Sequence, residues 1–121
     1  MKTIIAGSRT ANMTQTLAGI NSCPWQSRVT RILCGAALGV DTCAAEWAYA
    51  TGLPVDYYEA NWAVNGRAAG PIRNQMMVDH AEALIAIWDG QSKGTADIIR
   101  RAKAEGITVH VFNYVTGEVL P

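Results

Sequence analysis

The segment from Trp88 to Ile99, WDGQSKGTADII, places two glycines, a lysine and a hydroxyl residue between an apolar run and an amphipathic run. Gly90 and Gly94 allow the backbone to take positive φ and to approach a ligand closely. Thr95 is expected to cap the helix that follows, and the amide N–H groups at a helix start favour an anion because the helix dipole lies behind them. Lys93 adds a full positive charge. The segment is therefore predicted to be a phosphate-binding loop.

A simpler interpretation of this loop is a turn between strand and helix, with glycines that only form the corner. The order of residues also differs from the phosphate loop of P-loop NTPases, in which Gly, Lys and Ser or Thr follow one another. Here Lys93 precedes Gly94, so the sequence gives little support for an ATPase. The phosphate prediction consequently depends on whether other loops converge with this one.

Apolar runs alternate with amphipathic segments along the chain. The predicted strands are Lys2–Ala6, Val29–Cys34, Val55–Glu59, Ala83–Ile87 and Ile107–Phe112. The predicted helices are Ala11–Ile20, Thr42–Ala50, Pro71–Ala81 and Ala96–Glu105. This alternation predicts an α/β fold: one Rossmann-like domain over residues 1–121, with a five-stranded parallel sheet in the order 3-2-1-4-5 and helices on both faces.

In such a sheet, ligands bind at the carboxyl edge where the strand order reverses, here between strands one and four. Gly7-Ser8-Arg9 and Asp89–Thr95 are expected to flank this crevice. The loops at the same edge carry four basic side chains, Arg9, Arg67, Arg73 and Lys93, together with Asp41 and Asp89. Arg73 is expected in the first turn of its helix, where a cation opposes the dipole and an anionic partner would explain it. We therefore expect a locally basic pocket that suits a phosphorylated ligand.

The composition favours a folded globular protein, because half of the residues are apolar and 17% are charged. Ten basic residues balance ten acidic ones, which weighs against a surface for duplex DNA. No membrane span or signal peptide is predicted. The three cysteines have no metal-site spacing and leave an odd one for disulfides, which favours a reduced, cytoplasmic protein. His80 and His110 are expected to be structural residues, and no metal site is predicted.

Four short motifs follow one another in a fixed order. They are Gly7-Ser8-Arg9, then GAALGVDT from Gly35 to Thr42, then AGPIRN from Ala69 to Asn74, and last Trp88-Asp89-Gly90 with KGTAD from Lys93 to Asp97. This set resembles the YspA-type branch of the SLOG superfamily, which also includes the lonely-guy phosphoribohydrolases and the DNA-processing protein DprA. The resemblance spans strands one to five. It implies a Rossmann-like fold that binds nucleotides or nucleotide-derived signals, often as a homo-oligomer. Some members of this branch occur in phages or beside defence systems.

The matching positions suggest ligand contacts. Ser8 and Arg9 match the first motif, where a hydroxyl and a guanidinium reach phosphate or ribose; the alternative is a helix cap and a solvated arginine. Asp41 either holds a ribose hydroxyl or caps its helix. Trp62, in the loop before the third motif, either stacks on a base or forms an apolar lid. The predicted ligand-binding residues are Gly7, Ser8, Arg9, Gly35, Gly39, Asp41, Trp62, Arg73, Asn74, Asp89, Gly90, Lys93, Gly94 and Thr95.

The chain departs from the phosphoribohydrolases at one position. Those enzymes carry a glutamate three residues after the threonine of Gly-Gly-x-Gly-Thr, and Ile98 stands at that spacing here. Asp97 is one position short, which rotates a helical side chain by about 100°. Glycosidic cleavage needs a carboxylate to stabilise the cationic sugar or to activate water. Asp89 and Asp41 are the remaining catalytic candidates, and nothing in the sequence positions them.

Binding is therefore predicted ahead of catalysis. The predicted function is a module that senses or sequesters a phosphorylated nucleoside or an NAD-derived molecule, with no cofactor other than such a bound nucleotide. One alternative is hydrolysis of the N-glycosidic bond of nucleoside monophosphates. A second is single-stranded DNA binding, because Pro71-Ile72-Arg73-Asn74 matches a motif of DprA, although a neutral chain offers little charge for it.

Overall fold

The computed structural model describes residues 1–121, which fold around one six-stranded sheet. The strands are β1 Lys2–Gly7, β2 Arg31–Cys34, β3 Val55–Tyr57, β4 Ala83–Trp88, β5 Thr108–Asn113 and β6 Glu118–Leu120. They are ordered β3-β2-β1-β4-β5-β6. β1 to β5 pair in parallel in the predicted order, and β6 pairs antiparallel to β5. The prediction of five strands, all parallel, is therefore wrong in count and kind, because the chain end adds a sixth strand and makes the sheet mixed.

β4 lies at the centre of the sheet, between β1 and β5. Its sequence ALIAIW is buried from Ala83 to Ile87, as expected for a strand covered by helices on both faces. Ile85 and Ile87 face one apolar cluster, and Leu84 and Ala86 face the other. This alternation fixes the register, and so it fixes the point at which the loop after Trp88 leaves the sheet.

Helices cover both faces of the sheet, as predicted. The helices are α1 Met13–Ser22, α2 Val40–Thr51, α3 Trp62–Asn65, α4 Ala69–His80 and α5 Lys93–Glu105. α1 and α2 contribute Ile20 and Val40 to one core cluster, whereas α4 and α5 contribute Met77 and Ile98 to the other. No helix of the chain has both the length and the apolar character needed to cross a bilayer.

Three helices start earlier than predicted. α2 begins at Val40, directly after Gly39, whose φ of +77° favours glycine. α4 begins at Ala69, so Pro71 is its third residue, where the missing N–H still removes no helical hydrogen bond. α5 begins at Lys93 after Ser92. Thr95 is therefore not the cap but lies buried in the first turn.

Candidate functional site

A cavity of about 610 Å³ opens at the carboxyl edge of the sheet, where β1 and β4 end side by side. This volume falls within the range of small-molecule sites, about 300 to 1,000 Å³. The loop after β1, the start of α4 and the segment from Asp89 to Ile98 contribute to its lining. Most of the predicted ligand residues line it: Gly7, Ser8, Arg9, Asp41, Trp62, Arg73, Asn74, Asp89, Lys93, Gly94 and Thr95.

The remaining predicted residues lie elsewhere. Gly35 lines a smaller adjoining cavity, and Gly39 and Gly90 line neither of the two. Arg67 was expected at the same edge of the sheet, but it lies exposed in the 3-10 turn Gly66–Ala68, outside the lining.

One side of the cavity carries polar groups without protein partners. α5 points its first turn into the cavity, and the amide N–H groups of Lys93, Gly94 and Thr95 donate to no protein acceptor. The side chains of Arg9 and Lys93 are exposed and form no ion pair. Gly94 has helical rather than positive φ, and a Cβ added there would meet no atom within 4 Å, so the space beside Gly94 is open. We call Arg9, Lys93 and the first turn of α5 the open wall.

Asp89 shapes the loop that leads to α5. One carboxylate oxygen accepts hydrogen bonds from the amides of Gln91 (2.8 Å) and Ser92 (2.7 Å), and the other accepts from the Ser92 hydroxyl (2.9 Å). These bonds, the Ser92 amide first, lower the pKa of Asp89 below its usual value. Gly90 completes the turn with φ of +85°. Both oxygens of Asp89 thus hold the loop, which disfavours the role of catalytic base considered from the sequence.

Ser8 continues this hydrogen-bond chain from the neighbouring loop. Its hydroxyl lies 3.0 Å from the Ser92 hydroxyl, and its amide donates to the carbonyl of Ile87 (3.1 Å). Because Ser92 donates its only hydroxyl proton to Asp89, Ser8 must donate to Ser92. The Ser8 oxygen therefore offers a ligand only lone pairs. It can accept from a ligand hydroxyl or amine, whereas it has no proton left for a phosphate oxygen.

A second side of the cavity, which adjoins the first along α5, consists of polar groups that bond to one another. Asn74 donates to Asp97 (3.0 Å) and to the carbonyl of Gly94 (3.3 Å), which joins α4 to α5. Asp97 also accepts from Arg101 at 2.9 Å and pairs with Arg100. Burial tends to raise the pKa of Asp97, but the hydrogen bonds from Arg101 and Asn74 outweigh it, so the pKa is lowered.

Arg73 belongs to the same side. It is the fifth residue of α4 rather than part of the first turn, and its guanidinium donates to the carbonyl of Gly35 at 2.7 Å. The sequence suggested that an anionic ligand would explain the presence of Arg73 in its helix. Such a ligand is not needed, because protein groups accept hydrogen bonds from its guanidinium. A Cβ at Gly35 would collide with this guanidinium, which explains the glycine. We call Asp41, Arg73, Asn74 and Asp97 the bonded wall.

Asp41 is 7% exposed and is the second residue of α2. It accepts from the amide of Ala37 at 3.0 Å, so it holds the preceding loop as well as lining the cavity. Burial raises its pKa above the usual value, partly offset by the Ala37 hydrogen bond and the charge of Arg73. No ion pair within 4.0 Å joins Asp41 to Arg73.

The lining does not carry the expected excess of positive charge. Its ionisable side chains are three basic and three acidic residues: Arg9, Arg73, Lys93, Asp41, Asp89 and Asp97. The acidic groups all accept hydrogen bonds from the protein. The unpartnered charges are Arg9 and Lys93, so the anion-attracting character lies in the open wall alone.

Trp62 lies at the rim of the cavity, about half exposed. Its ring packs over Gly70, where a Cβ would sit 3.4 Å from the indole. A second cavity of about 340 Å³ adjoins the first and shares Arg9, Ala37, Trp62 and Arg73 with it. Trp62 therefore borders both cavities.

Ser92 and Asp97 shape the site, but the sequence did not predict them as site residues. Asp97 had a visible signal, because Arg101 follows it at the i,i+4 spacing of a helical ion pair. The bond from Asn74 to Asp97 spans two helices and leaves no trace in local spacing.

No protein-family model and no curated protein matches this sequence. Among solved structures, the chain is similar to DNA processing protein A (DprA) from Streptococcus pneumoniae, with a TM-score of 0.73 and 17% sequence identity. The match covers 92% of this chain and 50% of that protein, so the chain spans about half the length of its structural relative. At this identity the likeness concerns the fold alone: the chain has a DprA-like fold.

Proposed function

We propose that this chain binds a nucleotide or a nucleotide-derived molecule, such as a phosphorylated nucleoside or an NAD-derived signal. A phosphate would lie against the first turn of α5. The observation that carries the proposal is the open wall, where three amide N–H groups and the side chains of Arg9 and Lys93 share one cavity without protein partners. Backbone amides, a helix dipole and two cations together are a strong site for a phosphate group.

The Ser8 hydroxyl adds a reason to expect a nucleoside attached to the phosphate. Since its proton is committed to Ser92, it accepts a donor, and ribose hydroxyls and base amino groups are donors. Asp41, also in the lining, is a second acceptor. Donors for a phosphate and acceptors for hydroxyl groups in the same cavity match the polarity of a phosphorylated nucleoside.

Binding without turnover fits the state of Asp89 and Asp97, which leaves Asp41 as the remaining carboxylate of the lining. Asp89 is held by its own loop, Asp97 is bonded to Asn74 and Arg101, and Ile98 is buried in the core at the spacing of the hydrolase glutamate. A glycosidic hydrolase needs a carboxylate free to act on the sugar or on water. A sensing or sequestering role therefore has more support than hydrolysis.

We assign the chain to the YspA-type branch of the SLOG superfamily, on the order of its four motifs and the DprA-like fold. The assignment brings further expectations: a cytoplasmic homo-oligomer, in some cases encoded by phages or beside defence systems. Size-exclusion chromatography with light scattering measures the oligomeric state directly.

The test of the proposed function is ligand retention and binding by charge-reversed variants. Native mass spectrometry of the purified protein should reveal a nucleotide-like mass that heat releases, and titration calorimetry with AMP and ADP should measure binding. Arg9→Glu combined with Lys93→Glu should abolish both, by at least about 100-fold in Kd, since two cations become two repelling carboxylates.

The matched control is Arg28→Glu combined with Arg67→Glu, which makes a comparable charge change at exposed positions outside the cavity. This control should retain the ligand. Equal binding by wild type and the Arg9/Lys93 variant, with both folded, would refute the proposed site.

Single-stranded DNA binding is the second candidate, because the structural relative is a DNA processing protein. The exposed ring of Trp62 offers a surface on which a base can stack. Against it stands the neutral charge of the chain. A gel shift with a single-stranded oligonucleotide at low salt tests it, with Trp62→Ala as the comparison. A shift that Trp62→Ala removes supports the DNA candidate, and the absence of any shift leaves the nucleotide proposal alone.

A further inference from the structure

The ligand cavity has a second compartment, which Arg9, Gly35, Trp62 and Arg73 line together with residues that the sequence did not predict as ligand contacts. We call the cavity of about 610 Å³ the first lobe and the adjoining cavity of about 340 Å³ the second lobe. Arg9, Ala37, Trp62 and Arg73 line both, so the two lobes meet along a common border. Each volume lies within the range of about 300 to 1,000 Å³ for small-molecule sites. The two lobes together suit a ligand with two ends.

The second lobe differs from the first in its chemistry. Glu59 lines it with an exposed carboxylate that forms no ion pair, and Leu38 presents a side chain that is 75% exposed. The first turn of α5, with its free amides, lies in the first lobe alone. Within the second lobe, away from Arg9 and Arg73 on its border, Glu59 disfavours a terminal phosphate, whereas hydroxyl and amino groups would find an acceptor there.

Arg9 stands at the border of the lobes with a free guanidinium. The other shared cation, Arg73, already donates to the carbonyl of Gly35. A guanidinium binds two phosphate oxygens at once, so Arg9 suits an anionic linker that passes from one lobe to the other. Trp62, about half exposed on the same border, offers an aromatic face beside that linker.

We propose that the ligand is of the dinucleotide class: two nucleoside ends joined through phosphates, with the second, neutral nucleoside end in the second lobe. The phosphates lie between the first turn of α5 and Arg9, and Glu59 accepts from hydroxyl or amino groups of the second nucleoside. This inference rests on the proposed function and adds to it the size and the two-ended form of the ligand.

Titration calorimetry with ADP and with diadenosine diphosphate tests the proposal. Both probes carry two phosphates, and they differ by the second adenosine. Diadenosine diphosphate carries less negative charge, so tighter binding cannot come from electrostatics. We expect its Kd to be at least about tenfold lower than that of ADP, which corresponds to about 1.4 kcal/mol.

Ala60→Phe fills the second lobe at a residue that does not line the first. The ratio of the Kd for ADP to the Kd for diadenosine diphosphate should fall to about one in this variant, while the Kd for ADP stays as in wild type. The matched control, Ala104→Phe, makes the same change at an exposed position near the far end of α5 and should keep the ratio. Glu59→Ala, which adds no bulk, should lower the ratio and serves as the second variant should Ala60→Phe not fold.

The outcomes separate the two proposals. Equal Kd values for both probes in wild type, with ADP bound, would overturn the dinucleotide inference and leave nucleotide binding intact. A tenfold preference that survives Ala60→Phe and Glu59→Ala would also overturn it, because the second nucleoside would then lie elsewhere. Failure of the folded wild type to bind either probe would remove the proposed function and this inference together.

Discussion

The two walls of the cavity carry similar side chains but use them differently. In the bonded wall, Asn74, Asp97 and Arg73 bond to protein groups, and so they join α4 to α5 and to the loop after β2. In the open wall, Arg9 and Lys93 bond to nothing. Polar groups with complete sets of partners stabilise the fold, whereas groups left without partners are available to a ligand.

This difference shows why counting charges misleads. The lining contains as many carboxylates as cations, so the count predicts no attraction for an anion. Yet the carboxylates are satisfied by amides, hydroxyls and guanidinium groups, and the two free cations lie beside three free amides. Substitutions that remove a hydrogen-bond partner from the bonded wall should therefore reduce stability, and substitutions in the open wall should reduce binding.

The largest effect on stability is expected from Asp97→Ala. The change leaves one N–H of the buried Asn74 amide and the guanidinium of Arg101 without their carboxylate acceptor, which costs on the order of 2 to 3 kcal/mol. Urea denaturation followed by circular dichroism measures it. Asp79→Ala, on the exposed side of α4, is the control and should change the free energy of unfolding by less than about 0.5 kcal/mol. A small change at Asp97 would show that the bonded wall does not stabilise the fold.

The pKa of Asp97 also gives this effect a pH dependence. The folded pKa is lowered below 3.8, so the ionised carboxylate stabilises the fold above the unfolded pKa. The contribution is lost as pH falls through the folded value. The stability difference between wild type and Asp97→Ala should therefore shrink below about pH 4.

A smaller effect of opposite sign is expected from Asp41→Asn. Burial raises the folded pKa of Asp41 above its usual value, so the ionised group costs stability once pH rises above that usual value. Asparagine keeps an acceptor for the Ala37 amide without the charge. Asp41→Asn should unfold at higher urea concentration than wild type at pH 7, and the two should converge near pH 3. If Asp41→Asn is instead less stable than wild type at pH 7, the attraction between Asp41 and Arg73 contributes more free energy than burial of the charge costs.

The smallest change in stability is expected from Lys93→Gln in the open wall, where stability and binding should change in opposite directions. Lys93 is the first residue of α5, where a cation opposes the helix dipole, so Lys93→Gln should stabilise the fold by about 0.3 to 1 kcal/mol. The same variant should weaken nucleotide binding. Lys103→Gln, in the last turn of α5, is the matched control: it should destabilise slightly and leave binding unchanged. Stabilisation without any loss of binding would remove Lys93 from the proposed site.

The sequence predicted the parallel part of the fold well because its signals are local. Apolar runs such as Ala83–Ile87 and the alternation with helices determine five strands and their order. That order in turn predicts that the loops after β1 and β4 meet, and Arg9 and Lys93 do line one cavity. Their role as ligand contacts stays a prediction.

The features that the sequence did not predict depend on contacts between distant residues. β6 has only three residues, too few for a period, and it forms because the turn at Gly117, with φ of +78°, folds Glu118–Leu120 back onto β5. The start of α4 before Pro71 places Arg73 beyond the first turn, and Arg67 lies outside the lining in a separate 3-10 turn. The bond from Asn74 to Asp97 depends on how two helices pack.

In the chain of hydrogen bonds from Ser8 through Ser92 to Asp89, each hydroxyl donates in one fixed direction. Asp89 keeps its charge well into acid solution because its pKa is lowered, so the two hydroxyl protons stay oriented across the whole physiological range. A ligand oxygen that reaches Ser8 must bring its own hydrogen. Methylation of that one hydroxyl would place two lone pairs against each other, so a set of singly O-methylated ligands offers a chemical means of finding which hydroxyl group meets Ser8.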